Sequence, residues 1–281
     1  MAIDLSTQLM QATVQVEQQL PDGRHTIGTG FLISDPTPDG KPRTVLVTAR
    51  HVFDHMPGTT ANIGYRLQNA DGGWCFKPEA VRIRSATREL FVHHPNRDVV
   101  AIAVTAPPEF AKAAIPLAWL AGSDTFSKFS VGPGDEMMVL GYPQGLSANS
   151  AGFPILRSGR VASPIEPEKV SPTFLLDFRV FPGNSGGPVF MSQADHRRPG
   201  ADGSADVQFI AGMLTQQVEL NDVRLEIGIV TDAEFIRETI AELDQPAGRS
   251  APATPDARPA IAPSLVASRD VSAAVGRAVG D

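Results

Sequence analysis

From Ala12 to about Val230 the chain sets short apolar runs between clusters of glycine, proline, asparagine and aspartate. "ATVQVEQQL" alternates apolar and polar residues, "PDG" supplies a turn, and "RHTIGTGFLIS" returns, which is the pattern of a β-hairpin. "RTVLVTA", "AVRIRSA", "DVVAIAV", "EMMVLGY", "FLLDFRV", "VQFIAGMLT" and "RLEIGIV" read as further strands of similar length. So many short strands predict packed sheets or barrels. Two segments leave this rhythm. "LSTQLMQA" reads as a short helix. "TDAEFIRETIAEL", residues 231–243, has Thr231 or Asp232 as N-cap and places Phe235, Ile236, Ile240 and Leu243 on one face, so a helix docked on the β core is expected there.

After Leu243 the composition shifts to alanine, proline, serine and arginine, and residues 245–281 are expected to form a disordered tail because they carry too little apolar area to offset ordering. A weak apolar rhythm in "SLVASRDVSAAVGRAV" would suit a helix formed on a protein partner. The sequence shows no internal repeat. Its 281 residues and 42% hydrophobic content support one large all-β domain or two ordinary ones. A net charge of −7 provides no basic field, so neither nucleic acid nor an anionic membrane is an expected partner. The single cysteine, Cys75, rules out an intrachain disulfide and fits a reducing compartment; it reads as a small half-buried apolar residue. "MAIDLSTQLMQATVQVEQQL" has acid and glutamines where a secretion signal needs an apolar run, and no stretch approaches the ~20 apolar residues that span a bilayer. A cytoplasmic location is the expectation.

The candidate chemistry centres on "FPGNSGGPVF", residues 181–190. Ser185 is either the tip of a glycine turn or a nucleophile held up by one. A serine hydroxyl is inert at neutral pH without a neighbouring base, and the oxyanion it generates needs fixed donors. Gly183, Gly186 and Gly187 remove the Cβ atoms that would crowd backbone N–H groups in that role. For the base, His51 ends the apolar run "TVLVTARHVF", where a rigid strand gives way to a loop. His55, four residues on, would make a helical metal pair with it, but Val52 stands where a zinc hydrolase needs glutamate, and no metal or cofactor is expected. His25 and His196 lie in polar surroundings and read as solvated, while His93 and His94 read as loop residues. Asp98, at the start of "DVVAIAV", is the best orienting carboxylate; its bland alternative is strand punctuation. The motif also fits G-x-S-x-G of α/β-hydrolases, which need the acid and histidine after the serine; here only His196 follows, and no strand–helix alternation is visible. The order His51, Asp98, Ser185 is that of chymotrypsin-like proteases.

In these segments the chain resembles the trypsin-like serine proteases, in the style of bacterial Deg/HtrA protease domains. "GTGFLIS", "VTARHVF", "HPNRDVVAIAV", "VLGYPQGL", "PGNSGGPVF" and "IAGMLTQQ" correspond in order over about residues 12–243. The resemblance implies an all-β fold of two six-stranded antiparallel β-barrels, about 12–112 and 116–230, within a protease domain 1–244 that ends in the helix 231–243. It implies a catalytic triad of Ser185 as nucleophile, His51 as base and Asp98 as orienting carboxylate, with the N–H groups of Gly183 and Ser185 as oxyanion hole. Thr215 matches a small hydroxyl residue beside the buried aspartate, and Gln216 and Gln217 continue an edge that accepts an extended peptide as a strand. Arg179 falls near the expected floor of the specificity pocket, where it would favour acidic residues before the scissile bond; alternatively it faces outward while Phe178 and Val180 face in. Arg50 and Asn184 depart from the family pattern, the latter standing where zymogen-activated trypsins carry aspartate, which implies activity without that cleavage. No PDZ module is expected to follow. The implied activity is a serine endopeptidase acting on peptide or protein substrates; a peptide-binding or latent regulatory module and an esterase are the competing readings.

Overall fold

The computed structural model describes residues 4–165, 171–196, 205–220 and 223–245, so the expected tail, apart from Gln245, lies outside the described residues. After helix α1 (Leu5–Ala12), capped by the Asp4 carboxylate, come the strands β1 (Thr13–Gln19), β2 (His25–Ser34) and β3 (Thr44–Thr48). Helix α2 (Arg50–Asp54) leads to β4 (Thr60–Gln68), β5 (Trp74–Arg82), β6 (Val92–His93) and β7 (Val100–Val104). Helix α3 (Pro108–Ala113) and the short β8 (Ile115–Pro116) finish this half. Its strands order as β5-β4-β1-β2-β3-β7-β6, with β8 parallel to β2.

Helix α4 (Thr125–Lys128) introduces the second half: β9 (Glu136–Gly141), β10 (Ile155–Val161), β11 (Thr173–Asp177), β12 (Pro188–His196), β13 (Ala205–Leu220) and β14 (Val223–Asp232). These close into a six-stranded antiparallel barrel, β10-β11-β14-β13-β12-β9. Helix α5 (Ala233–Ala241), whose first turn is capped by Asp232, lays Phe235, Ile236 and Ile240 into the core, as the apolar spacing predicts. Among the described residues no helix is long and apolar enough to cross a membrane.

The fold is chymotrypsin-like, with one correction: the first sheet is not a closed barrel. Its edge strand β5 has no buried residue and contains Lys77 and Pro78, a charge and a missing donor that suit an edge without a partner. The other edge, β6, is two residues long. The same exposure corrects the reading of Cys75, which sits on β5 as an exposed thiol. The β4–β5 hairpin carries little apolar alternation on its outer strand, so the sequence placed a strand at "AVRIRSA", later than the observed one.

Candidate active site

The first half brings together a histidine and a carboxylate by strand pairing. β3 is buried over four of its five residues and runs into α2, which carries His51; Asp98 lies just before β7, and Thr48 pairs with Val100 across those two strands. The Asp98 carboxylate takes both groups offered by His51: Oδ1 accepts the backbone N–H at 2.9 Å, and Oδ2 lies 2.6 Å from Nδ1. With the carboxylate ionised, Nδ1 carries the proton and Nε2 is left as a base. Among the described residues Nε2 has no hydrogen-bond partner.

Ser185 comes from the second half, on two consecutive tight turns closed by Asn184 N–H to Phe181 O and Gly187 N–H to Asn184 O, both 3.0 Å. Gly183 and Gly186 have φ of +94° and +89°, and a Cβ there would meet Tyr142 O at 2.2 Å and Thr29 O at 2.0 Å. Glycine is therefore required at both. Buried Thr29 of β2 ties this loop to the first sheet: its N–H donates to Ser185 O (2.8 Å), its hydroxyl donates to Gly183 O (2.6 Å), and Tyr142 N–H donates to that hydroxyl (3.1 Å). On the other side Gly186 N–H donates to Leu214 O and Leu214 N–H to Gly187 O. The N–H groups of Gly183 and Ser185 have no acceptor among the described residues, and both residues line a cavity of about 460 Å³ with His51, His55 and Gln144. The Ser185 hydroxyl donates to Thr215 O at 3.3 Å, not to His51.

The other sequence-derived candidates take varied places. Thr215 is buried, but its hydroxyl meets Ile229 O and the Thr231 hydroxyl on β14 instead of Asp98; the carbonyl, not the hydroxyl, touches the site. Gln216 is exposed and Gln217 half-buried on β13, past Met213, the last β13 residue opposite β12 on this side. Arg179 does not floor a pocket: it is exposed, with Nε 3.1 Å from Glu226, while Phe178 and Val180 are buried. Alternation along the segment puts its charge outside. His94 lies in the loop before β7, as expected, and also packs, its Nε2 2.9 Å from a Glu238 oxygen of α5 and its ring edge-on to Phe235, whereas His93 is corrected from loop residue to a residue of β6. The His196 side chain lies outside the described residues. Among the described residues no three His, Cys, Asp or Glu side chains converge to hold a metal.

Sequence reasoning missed a buried cation beneath the site. Arg66 is fully buried and has no carboxylate partner among the described residues. Its guanidinium donates to the carbonyls of Gln11 (2.7 Å), Thr13 (2.8 Å) and Gly152 (2.9 Å) and to the Tyr142 hydroxyl (3.0 Å), with the rings of Phe110 and Phe153 at 5.0 and 4.6 Å. It clamps the Tyr142–Gly152 segment, which borders the cavity, to the first sheet. The run "NIGYRLQ" alternates, but nothing in it marks this position as buried.

A family model for the trypsin-like peptidase domain matches residues 28–196, a span holding all three of these side chains. The chain belongs to that family. Among solved structures the chain is similar to the HtrA-type protease AlgW with a tripeptide, at 14% identity and a TM-score of 0.52 over 86% of the chain. It is also similar to the active form of the Rv3671c protease from M. tuberculosis, at 20% identity and a TM-score of 0.50, covering 89% of each chain. AlgW with a decapeptide matches at 14% identity and a TM-score of 0.50 over 85% of the chain. The chain spans 63% and 66% of the lengths of the two AlgW chains. At these identities the likeness establishes the fold. No curated protein matches the sequence.

Proposed function

We propose that the protein is a serine endopeptidase that cleaves peptide bonds through an acyl-enzyme on Ser185. The observation that carries this is the pair of N–H groups, Gly183 and Ser185, that have no acceptor among the described residues and line one cavity with an imidazole whose Nδ1 is held by Asp98. A substrate lies extended along the β13 edge from Thr215 to Gln217 and adds to it as a strand. Its scissile carbonyl oxygen faces the two N–H groups. Rotation about χ1 of Ser185 exchanges the Thr215 carbonyl for His51 Nε2, which takes the hydroxyl proton as Oγ attacks the carbonyl carbon. The tetrahedral oxyanion is stabilised by the Gly183 and Ser185 donors, and Asp98 stabilises the imidazolium. His51 then protonates the leaving amine, and water repeats the sequence in reverse to free the acid. Ser185→Ala is expected to lower kcat by about 10⁴-fold or more with the fold intact, measured on a peptide library against wild type. Hydrolysis that survives this substitution overturns the assignment.

One observation favours a second reading, a latent peptide-binding module: the Ser185 hydroxyl is bonded to Thr215 O. Labelling by a fluorophosphonate separates the two. Rapid, stoichiometric modification of Ser185 supports the peptidase, and a folded protein that stays unlabelled until a peptide is added supports the latent form.

A further inference from the structure

Gly183 explains why an N–H group fits beside Ser185, but not what aims it. Pro182 C=O and Gly183 N–H belong to one planar trans peptide and point in opposite directions. Whatever holds the carbonyl therefore aims the amide. Here the carbonyl accepts the Gln144 N–H at 2.6 Å. Gln144 has φ 54° and ψ 26°, a left-handed conformation unusual for a residue with a side chain. Among the described residues Ser130 and Glu226 are the other non-glycines with positive φ, and neither lines the cavity.

The surroundings account for the conformation. Pro143 precedes Gln144, and Gly145 follows with its N–H on Tyr142 O at 2.9 Å and its carbonyl accepting from Gln15 Nε2 at 3.2 Å. A Cβ on Gly145 would meet Ile27 Cδ1 at 2.7 Å, so the chain is pressed against β2 on leaving Gln144. With both neighbours fixed, the chain keeps the Gln144 N–H on Pro182 O and still reaches Gly145 by taking a positive φ at Gln144.

We infer that Gln144 is a positioning residue whose left-handed backbone, and not its side chain, holds the Pro182–Gly183 peptide with the Gly183 N–H facing the reacting carbonyl oxygen. The inference rests on the function proposed above and names what maintains that site. Tolerance of left-handed backbone falls from Gly through Asn to Ala and then to β-branched Val. A side-chain role predicts a different order, because Gly removes the side chain entirely.

The test compares Gln144→Gly, Gln144→Asn, Gln144→Ala and Gln144→Val in the full chain. Gly and Asn are expected to keep kcat within about threefold, while Val loses about 10²-fold, the scale of one lost oxyanion donor, at nearly unchanged KM. Affinity for a peptide boronic acid falls in parallel with kcat. If Val prevents folding, Ala carries the test with a loss of about threefold to tenfold. A Gly variant that loses as much as Ala or Val, or a folded Val variant as active as wild type, overturns the inference. If wild type neither hydrolyses peptides nor binds the boronate, the proposed function fails, and amide hydrogen exchange decides the inference alone. A Gln144 amide protected in wild type and Gly but not in Val or Ala upholds it; rapid exchange in wild type overturns it.

Discussion

At the scale of single residues, Arg66 shows how much rests on a charge that meets no opposite charge among the described residues. Its guanidinium donates to four backbone carbonyls and a tyrosine hydroxyl, with only Nε left over, and burial pushes the pKa of that hydroxyl, on Tyr142, up to about 12. Arg66→Met keeps much of the volume but strips donors from buried oxygens, so a loss of about 3 kcal/mol is expected from urea unfolding midpoints. Arg179 leads to the opposite expectation. Because it is exposed and paired to Glu226, Arg179→Ala leaves the ratio of cleavage after Glu to cleavage after Val unchanged, as competition between two labelled peptides would read. His51, Asp98 and Ser185 were legible in the sequence because reactive residue types stood beside a strand end or among glycines. Arg66 and Gln144 were not: one is defined by acceptors far away in sequence, and the other by a backbone angle that its residue type does not announce.

At the scale of elements, α5 was legible through its apolar spacing and its aspartate cap, whereas what it docks against was not. Its Glu238 meets His94, whose Nδ1 accepts the Asn96 N–H at 3.2 Å, two residues before Asp98. Burial lowers the His94 pKa from its ordinary 6.5, with the Glu238 hydrogen bond opposing in second place. An imidazole that resists protonation when folded binds more protons when unfolded, so stability is lost as pH falls below 6.5 and is unaffected above it. Between pH 7.5 and 5.5 the thermal midpoint of wild type is expected to drop further than that of His94→Gln. Equal drops would remove His94 from the account. β5 failed to register for the reverse reason: exposed on both faces, it has no alternation to read, and its neighbour β4 supplies the register.

At the scale of the whole molecule, the sequence foresaw two β units with the site between them but not that only one closes. Closure depends on the partnering of edges, and the residues that mark the open edge, Lys77 and Pro78, lie in β5, which has too little alternation to be read as a strand. The seam is held at the site by Thr29 of the first sheet, whose hydroxyl donates to Gly183 O and accepts the Tyr142 N–H, both in the second half. Thr29→Val keeps the shape but leaves a buried carbonyl and a buried N–H without their partner, so a loss of about 2 kcal/mol is expected together with a fall in kcat. Fluorophosphonate labelling and calorimetry on one sample check both.

The placement of Ser185 between strands that arrive late in the chain bears on how such a molecule is made. Its loop leans on Leu214, whose strand is completed by β14, so a polypeptide still emerging from the ribosome presents His51 and Asp98 long before the finished Ser185 loop. On the function proposed above, vectorial synthesis completes the nucleophile's support last.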